Sequence, residues 1–481
     1  FSKTFLIFSY ITLGGCMKNL FDLYFIDVKV KDIKTNSKEV SKEDAFICIK
    51  GVNVDRHEYI SEAIKNGASF IVVSKGKNYK VPYIKVKNPN KELSILTDYI
   101  YDDAKKINLI AVTGTDGKTT TASIIKDMLK DECGYIGTNG VIGKNYKATC
   151  DNTTPPLEKT YKYLDIFYKE GLTYAAIEAS SEGMMHKRLG KLEFKRAILT
   201  NFTEDHLNVH KTLENYLKCK RKVFKQISKD GIAILNKDDE YYKKFKASCR
   251  CKTLSYGKSK YSRLRILSFK EYSNKTEIKY RYKGKVFEIN SPLLGEFNVY
   301  NLSAAILTLL SMGYKVSTIR KKVYNIKVPF GRCEFLDYKT PYKIVIDYAH
   351  TTNGIKNILT YLNKIKRGKI ITVSGSAGGR EKEKRKWMGK ALQELSDIVI
   401  YTEDDPRYEK PGEIINDLID KSKTNYITII NREKAILKAL SLAKNNDIVA
   451  ILGKGRDNYM AIKDKKVFYS DIHVLDKYFN K

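Results

Sequence analysis

The chain has 481 residues, of which 42% are apolar and 30% are charged, and its formal net charge is +33. This length predicts about three domains, at roughly 150 residues each. The longest apolar stretch is shorter than the ~20 residues that span a bilayer, which excludes a polytopic membrane protein. Only nine of the 481 residues are proline, and this excludes a largely disordered chain.

The positive charge has two interpretations. It is spread along the whole chain and comes mostly from lysine, and isoleucine, asparagine and tyrosine are also abundant, which is typical of an AT-rich coding sequence. We expect the charge to reflect this composition, and we do not expect a nucleic-acid partner. A preference for polyanionic ligands, including nucleotides, is the alternative. The eight scattered cysteines predict free thiols in a reducing cytosol rather than a disulfide framework.

The first 16 residues precede the first methionine, Met17, and they end in L-G-G-C after a short apolar stretch. This ending resembles a bacterial lipoprotein cleavage box. The remainder of the chain is typical of a cytoplasmic protein. We therefore interpret residues 1–16 as an upstream or non-native extension, and we expect a cytoplasmic location.

Residues 17–105 predict a small N-terminal α/β domain. Short apolar runs predict buried strands, a short helix ends before Gly67, and a longer helix leads into the next domain. The predicted strands are 45–49 and 69–73, and the predicted helices are 60–66 and 93–106.

Residues 106–331 predict a central domain in which strands and helices alternate. This alternation implies a mostly parallel sheet of the P-loop type, with helices on both faces. The predicted strands are 109–112, 174–178, 197–200 and 232–235; the first helix ends at 129, residues 252–292 form an antiparallel edge, and a last helix covers 298–310.

Residues 332–481 predict a C-terminal domain with the same alternation. Such a doubly wound, Rossmann-like sheet binds ligands at the carboxyl ends of its strands. The predicted strands are 343–346, 370–373, 398–401, 426–430 and 448–451.

The strongest local motif is G-T-D-G-K-T-T, which begins at Gly114 between the first central strand and its helix. Gly114 and Gly117 allow backbone amides to approach phosphate, Lys118 supplies a positive charge, and Thr119 or Thr120 supplies a hydroxyl for Mg2+. The spacing is shorter than in the common G-x-x-x-x-G-K-[ST] loop. Strand, loop and helix nevertheless follow in the right order, so the motif predicts nucleotide binding.

This loop resembles the ATP loop of the Mur ligases, the ATP-dependent amide-forming enzymes of peptidoglycan synthesis. Similar motifs continue from about Met17 to the C-terminus, in all three predicted domains. Folylpolyglutamate synthetase and the MurF branch share the loop. A segment around Ser37 that resembles a uridine site, and the D-D-P-R motif at 404–407, favour the branch that adds the third residue of the stem peptide.

The resemblance implies an ATP site and a magnesium site. Lys220 matches a carbamylated lysine, because Tyr216 and Phe224 flank it in a Y-x-x-x-K-x-x-x-F pattern. Carbamylation converts the cation into an anion that can orient Mg2+. The implied catalytic residues are Lys118, Glu178, His206 and Lys220. The implied metal ligands are Thr119, Glu178, His206 and carbamylated Lys220. The implied ATP-binding residues are Gly114, Thr115, Asp116, Gly117, Lys118, Thr119, Thr120, Asn298, Asn301, Arg332, Asp347 and His350.

The resemblance also implies a site for a UDP-linked substrate. The N-T-T-P motif at 152–155 and the E-A-S-S motif at 178–181 match its substrate loops. Three positions depart from the family pattern: Asn36 and Lys38 replace Asp and Arg beside Ser37, and Glu182 replaces a His. The implied substrate-binding residues are Ser37, Asn152, Thr153, Thr154, Ser180 and Arg188.

The C-terminal domain is implied to bind the incoming amino acid. Arg407 offers a planar donor fork, which favours the distal carboxylate of meso-diaminopimelate. Asp405 stands where Asn is usual, and its added charge suits a distal ammonium, as in L-lysine or another diamino acid. We favour diaminopimelate, followed by lysine. Arg456 and Asp457 replace His and Glu. The implied amino-acid-binding residues are Arg380, Asp404, Asp405, Pro406, Arg407, Gly453 and Asp457.

The implied reaction is ATP-dependent amide synthesis. ATP would phosphorylate the D-glutamate carboxylate of UDP-N-acetylmuramoyl-L-alanyl-D-glutamate, and the diamino acid would attack the acyl phosphate once the C-terminal domain closes over the central one. We expect a monomer. Two other classes stay open: a basic P-loop ATPase that acts on nucleic acid, and a non-catalytic Mur-like scaffold.

Overall fold

The computed structural model describes residues 17–51, 54–272 and 274–480. It contains three α/β units in chain order, each with its own sheet, so the predicted fold class is confirmed. The predicted extension, residues 1–16, lies outside the described residues. No helix of the described residues is long and apolar enough to cross a bilayer. Every cysteine among them is a free thiol.

The N-terminal unit has a four-stranded parallel sheet whose strands follow chain order. The helix predicted at 93–106 begins earlier, because Asn88 caps it and Pro89 occupies its first turn; residues Asp102–Lys106 form a separate 3-10 helix. The sheet strands are Asp32–Lys34, Asp44–Ile47, Ala68–Val73 and Tyr83–Lys85, the ribbon strands are Lys18–Asn19 and Lys29–Val30, and the helices are Phe21–Tyr24, Ile60–Lys65 and Pro89–Ile100.

The central unit has an eleven-stranded sheet within the described residues, parallel in the middle and antiparallel at both edges. The predicted antiparallel edge within 252–292 is present. In sheet order the strands are Lys147–Ala148, Gly140–Ile142, Cys133–Gly137, Tyr174–Glu178, Asn108–Thr113, Phe194–Leu199, Ile227–Asn236, Lys252–Gly257, Leu264–Glu271, Thr276–Tyr282 and Lys285–Ser291.

Both faces of the central sheet are buried. In the strand Asn108–Thr113, Leu109 and Ala111 belong to one apolar core, and Ile110 and Val112 belong to another. Since successive side chains of a strand point to opposite faces, helices must cover both. The helices are Lys118–Leu129, Glu296–Ser311 and Val316–Tyr324 on one face, and Leu157–Lys169 and Leu213–Lys225 on the other; shorter ones are Ser181–Met185, Leu207–His210 and Tyr242–Lys246.

The C-terminal unit has a six-stranded sheet that is parallel except for its first strand. Helices cover both faces, as the doubly wound prediction requires. In sheet order the strands are Glu334–Leu336, Lys343–Asp347, Ile448–Leu452, Ile370–Ser374, Ile398–Tyr401 and Tyr426–Thr428. A hairpin pairs Tyr459–Ile462 with Lys465–Phe468. The helices are Thr352–Ile365, Lys382–Leu395, Pro411–Leu418, Arg432–Leu442 and Asp471–Phe479.

A fully buried ion pair joins the last two helices of the C-terminal unit. Nε and Nη2 of Arg432 each lie 2.8 Å from a carboxylate oxygen of Asp471, and both side chains are 0% exposed. Nη2 of Arg432 also donates to the Leu452 carbonyl. Each charge depends on the other, because an unpaired charge in the interior is strongly destabilising.

We expect Asp471→Ala to lower the free energy of unfolding of the C-terminal unit by about 3–5 kcal/mol, since it strands the Arg432 charge. Trp387, the single tryptophan, lies on the helix Lys382–Leu395 and reports this unit in a urea titration. Lys477→Ala is the control. It breaks an exposed ion pair with Glu433, worth about 0–1 kcal/mol. Equal urea midpoints for Asp471→Ala and the unchanged chain would contradict the prediction.

Candidate active site

The candidate site lies where three neighbouring parallel strands of the central sheet end. The strands Tyr174–Glu178, Asn108–Thr113 and Phe194–Leu199 are adjacent. Their carboxyl ends lead into the phosphate loop (residues 114–120), the E-A-S-S segment and the segment 200–206. Ligands of open α/β sheets bind at this edge.

The phosphate loop ends at the N-terminus of the helix Lys118–Leu129, whose first amides are free to face an anion. Nζ of Lys118 lies 3.0 Å from the Gly114 carbonyl and 2.9 Å from the Thr115 carbonyl, so the side chain folds over its own loop. Gly117 has φ 80°, and a Cβ at this position would lie 2.4 Å from Oδ1 of Asn301. Glycine is therefore required where the loop packs against Asn301.

Glu178 is fully buried, and three donors satisfy its carboxylate. The Thr119 hydroxyl (2.9 Å), the Tyr135 hydroxyl (2.5 Å) and the Thr138 amide (2.9 Å) all donate to it. Nη2 of Arg332, which comes from the linker to the C-terminal unit, donates to Oγ1 of Thr119 (3.2 Å). Two of the predicted metal ligands, Thr119 and Glu178, are thus in direct contact.

Lys220 is 2% exposed, and its Nζ donates to the Gly114 carbonyl at 2.5 Å. Burial, reinforced by the nearby Lys118 ammonium, lowers the pKa of Lys220 well below its ordinary value. A Tyr216 ring lies under the amine, with 4.8 Å from Nζ to the ring centre. The side chain therefore lies against the phosphate loop in an environment that favours a neutral amine.

His206 also lies in this cleft, at a left-handed backbone position with φ 54°. Burial and then nearby cations, among them Lys220, lower the pKa of His206 to about 3, although Asp205 opposes them. Nδ1 is buried and has no hydrogen-bond partner. A neutral imidazole with an orphaned nitrogen fits a missing ligand, as a metal-binding histidine requires.

The four predicted metal ligands lie around the phosphate loop without all touching one another. Thr119 and Glu178 touch each other, whereas His206 lies beside Asp205 (3.5 Å) and Lys220 beside the phosphate loop. Among the described residues, no group of three or more His, Cys, Asp or Glu side chains is arranged to hold a metal. Thr119, Glu178 and the orphaned His206 nitrogen nevertheless offer oxygen and nitrogen donors of the types that bind Mg2+ or its water shell.

The other predicted ATP residues are distributed around the loop and at the start of the C-terminal unit. Asn301 donates to Asn298 (3.1 Å), the Asp347 carboxylate accepts from two backbone amides, and His350 is exposed. Within the loop, Thr115 donates to the Thr203 carbonyl, the Asp116 amide donates to Asn201, and Thr120 is buried.

The structure brings three predicted substrate-binding residues together. Thr154 contacts Ser180, with 2.9 Å between their hydroxyl oxygens, and Nη1 of Arg188 donates to the Thr154 carbonyl at 3.1 Å. Thr153 contacts Thr138, and Asn152 is partly exposed on the same loop. Ser37 lies apart from this group: it is buried in the N-terminal unit and donates to Glu62 (2.6 Å).

Four charged groups meet at the predicted amino-acid end. Nζ of Lys454, 1% exposed, lies 2.8 Å from Oδ1 of Asp405 and 3.7 Å from Asp404. Asp457 lies close enough to help raise the pKa of Lys454, and it accepts from the Tyr348 hydroxyl (3.2 Å). A buried ammonium from the segment 453–457 therefore pairs with the added charge of Asp405.

The remaining predicted amino-acid residues surround this cluster. Pro406 is buried against Gly378, and a Cβ on Gly453 would lie 2.3 Å from Asp404. Arg407 takes a left-handed conformation with φ 52°, and among the described residues its guanidinium has no hydrogen-bond or ion-pair partner. Arg380 is exposed, and its positive charge contributes to the lowered pKa of His206.

A buried arginine that sequence reasoning did not single out connects the two loops that carry Arg380 and Arg407. Arg385 makes a two-bond ion pair with Glu409 (2.8 and 3.0 Å). The same Glu409 accepts from the Gly379 amide, and the ion pair lowers the pKa of Glu409 to about 2. The two loops are thereby held together.

Sequence comparisons match all three units. The Mur ligase family catalytic domain matches residues 29–108, the Mur ligase middle domain matches 112–309, and the Mur ligase glutamate ligase domain matches 331–455. The UDP-N-acetylmuramoyl-L-alanyl-D-glutamate--2,6-diaminopimelate ligase of Clostridium tetani is 35% identical over 463 residues, which cover 94% of this chain and 95% of the relative.

The chain belongs to the Mur ligase family.

Another relative and two solved structures are also similar to this Mur ligase along most of its length. The enzyme of the same name from Aquifex aeolicus is 37% identical over 466 residues, 94% of each chain. A solved UDP-N-acetylmuramoyl-L-alanyl-D-glutamate--2,6-diaminopimelate ligase has a TM-score of 0.64 and 25% identity, and it covers 96% of this chain and 99% of the other. Thermotoga maritima MurF in complex with ADP has a TM-score of 0.68 at 21% identity, covering 88% and 93%, and shares the fold.

The C-terminal unit of this Mur ligase reaches over the phosphate loop through polar contacts. Lys384 pairs with Asp205 (2.8 Å), and Asn353 donates to Asp116 (3.3 Å). Asp205 and Lys454 are immediate neighbours of the predicted residues His206 and Gly453, but their partners could not be predicted from the sequence. Tyr135 lies in the strand Cys133–Gly137, which was not predicted from the sequence.

We expect Gly117→Ala to weaken nucleotide binding about tenfold or more, because the left-handed backbone and the contact with Asn301 together strain the loop. Anisotropy of a fluorescent ADP analogue measures the affinity. Gly284→Ala is a matched control, since Gly284 also has φ 80° but nothing within 4 Å of the added Cβ. An unchanged affinity in Gly117→Ala would show that the loop does not bind nucleotide as assigned.

Proposed function

We propose that this chain is the MurE-type ligase that joins meso-diaminopimelate to UDP-N-acetylmuramoyl-L-alanyl-D-glutamate with hydrolysis of ATP to ADP and phosphate. One observation carries the proposal: the phosphate loop, the Glu178 segment and the Thr154 loop meet at one sheet edge, and the D-D-P-R segment of the C-terminal unit belongs to the part that reaches over it. Relatives that are diaminopimelate ligases of this kind support it along 94% of the chain.

The first step would be transfer of the γ-phosphoryl group to the substrate carboxylate. Both reactants are anions, so positioning and charge neutralisation dominate the barrier. Lys118 and the amides at the helix N-terminus would bind the phosphates, and Arg188 would orient the substrate. Mg2+ held by Thr119, Glu178 and His206 would neutralise further phosphate charge.

The second step would be attack of the amino acid's α-amine on the carbonyl carbon of the acyl phosphate, which forms the amide bond, breaks the bond from carbon to the phosphate oxygen, and releases phosphate and a proton. The distal end of diaminopimelate carries one ammonium and one carboxylate. Arg407, which has no partner among the described residues, would bind the carboxylate. Asp404, Asp405 and Asp457 lie around the ammonium of Lys454, with Arg432 as a second cation near Asp404. Asp405 and Asp457 would bind the distal ammonium. L-lysine would use only the second of these contacts.

We further propose that Lys220 is carbamylated. Its amine is buried, and its lowered pKa favours the neutral form, which is the form that reacts with CO2. The resulting anion would compensate Lys118 and orient Mg2+. Since residues assigned to all three substrates come from one chain, we propose a monomer, and since ATP is the cosubstrate, a cytoplasmic location.

We expect phosphate release when the protein is incubated with ATP, Mg2+, UDP-N-acetylmuramoyl-L-alanyl-D-glutamate and meso-diaminopimelate. With L-lysine in place of diaminopimelate, the rate of phosphate release should be at least tenfold lower, because lysine lacks the carboxylate that Arg407 binds. EDTA should stop the reaction, and excess Mg2+ should restore it. Release of phosphate from ATP is followed by a coupled colorimetric assay, and the tripeptide product by mass spectrometry.

Three other outcomes would alter the proposal. Equal rates with both amino acids would contradict the role of Arg407. Tight ATP binding without product would favour a non-catalytic scaffold. Phosphate release stimulated by DNA, with steep salt dependence, would favour the nucleic-acid ATPase.

We expect 13C-bicarbonate to give a carbamate signal in the NMR spectrum of the unchanged protein, and this signal should be lost in Lys220→Gln. Lys218→Gln, which removes an exposed lysine of the same helix, should retain it. A signal that persists in Lys220→Gln would place the carbamate elsewhere, and no signal in either protein would contradict carbamylation.

A further inference from the structure

Arg456, which follows the strand Ile448–Leu452, contacts the linker between the central and C-terminal units. This linker consists of residues 329–334. Nε and Nη2 of Arg456 lie 2.9 and 2.5 Å from Oε2 and Oε1 of Glu334. Its guanidinium also lies 4.9 Å from the centre of the Phe330 ring. A two-bond fork combined with ring stacking is a geometry that arginine alone provides.

Glu334 connects Arg456 to the linker backbone through a hydrogen bond. Oε2 of Glu334 accepts from the Gly331 amide, three residues earlier in the chain, at 2.7 Å. Gly331 has φ 67°, and a Cβ there would meet the Tyr348 ring at 2.5 Å and the Arg456 amide nitrogen at 3.1 Å. The linker backbone is thus confined between the Tyr348 ring on one side and the Arg456 segment on the other.

The next linker residue, Arg332, points in the opposite direction, into the ATP site. Its Nη2 lies 3.2 Å from Oγ1 of Thr119, which is itself bonded to Glu178. Its guanidinium carbon lies 4.8 Å from the centre of the Tyr348 ring. Nε of Arg332 is buried and has no hydrogen-bond partner. The position of this guanidinium therefore depends on the path of the linker.

We propose that Arg456 is a positioning residue: by holding Glu334 and Phe330, it fixes the linker in the conformation from which Arg332 reaches Thr119. This inference rests on the proposed ligase function. Arg456 contacts no phosphate-loop residue itself within the described chain, so it acts through Arg332.

The arrangement also couples two substrate sites. Asp457, the neighbour of Arg456, accepts from the hydroxyl of Tyr348, the ring on which both Gly331 and Arg332 pack. A diamino acid that orders the loop 453–457 would order the linker at the same time. Occupation of the amino-acid site would thereby complete the ATP site.

The test compares Arg456→Gln and Arg456→Lys with the unchanged protein in the full ligase reaction. Arg456→Gln should lower kcat about 10- to 100-fold, as a misplaced catalytic group does, with KM for the UDP substrate changed less than threefold. Arg456→Lys, which keeps the charge but not the fork, should recover part of kcat. Because the Arg456–Glu334 pair is partly exposed, the melting temperature should stay within about 2 °C.

Arg320→Gln is the matched control. Arg320 is exposed in the central unit and donates once, to the Glu288 carbonyl, so its loss should leave kcat unchanged. The double variant Arg456→Gln/Arg332→Met separates positioning from a general effect. If Arg456 acts through Arg332, the kcat of the double variant should be no lower than that of Arg332→Met alone.

Each result decides the inference. The inference is overturned if the kcat losses of the two single variants multiply in the double variant. It is also overturned if Arg456→Gln has the same kcat as Arg320→Gln, or if its kcat falls only in proportion to a lowered melting temperature. If the unchanged protein forms no tripeptide product, the ligase proposal fails instead. The coupling is then tested by nucleotide affinity, which Arg456→Gln should lower and Arg320→Gln should not.

Discussion

The buried carboxylate of Glu178 is the interaction on which the site depends. An uncompensated charge at that depth would be strongly unfavourable, and Thr119, Tyr135 and the Thr138 amide supply the donors that make it tolerable. These donors come from the phosphate-loop helix, the neighbouring strand and the loop after it. The Glu178 carbonyl in turn accepts from Thr154. One residue thereby sets the relative positions of the nucleotide and substrate loops.

The C-terminal unit meets this arrangement through polar contacts beside the phosphate loop, and Leu294 and Phe297 of the central unit pack against its apolar core. Lys384 with Asp205, Asn353 with Asp116, and Arg332 with Thr119 all cross between the units. Polar contacts of this kind allow neighbouring units to move relative to one another. Inside the C-terminal unit, the ion pair of Arg385 with Glu409 joins the loops that carry Arg380 and Arg407, and the buried pair of Arg432 with Asp471 joins two helices.

Local patterns predicted the elements well where they were strongly periodic. The helix after the phosphate loop ends at Leu129 as expected, and the strand Tyr174–Glu178 was predicted to the residue. The helix expected at 93–106 was misplaced because the cap of Asn88 and Pro89 outweighed the apolar pattern. Candidate site residues were recognised as motifs, but their contacts were not. Asp405 illustrates this, since its charge is paired with Lys454, 49 residues away.

The sequence by itself determined the three-unit α/β fold, the phosphate loop and the family, because apolar periodicity, glycine placement and contiguous motifs are properties of neighbouring residues. Only the tertiary structure decided which charges are free and which are compensated. Lys454, Arg385 and Arg456 each find carboxylates that are distant in sequence, and the energy of a charge depends on its burial and its partners in space.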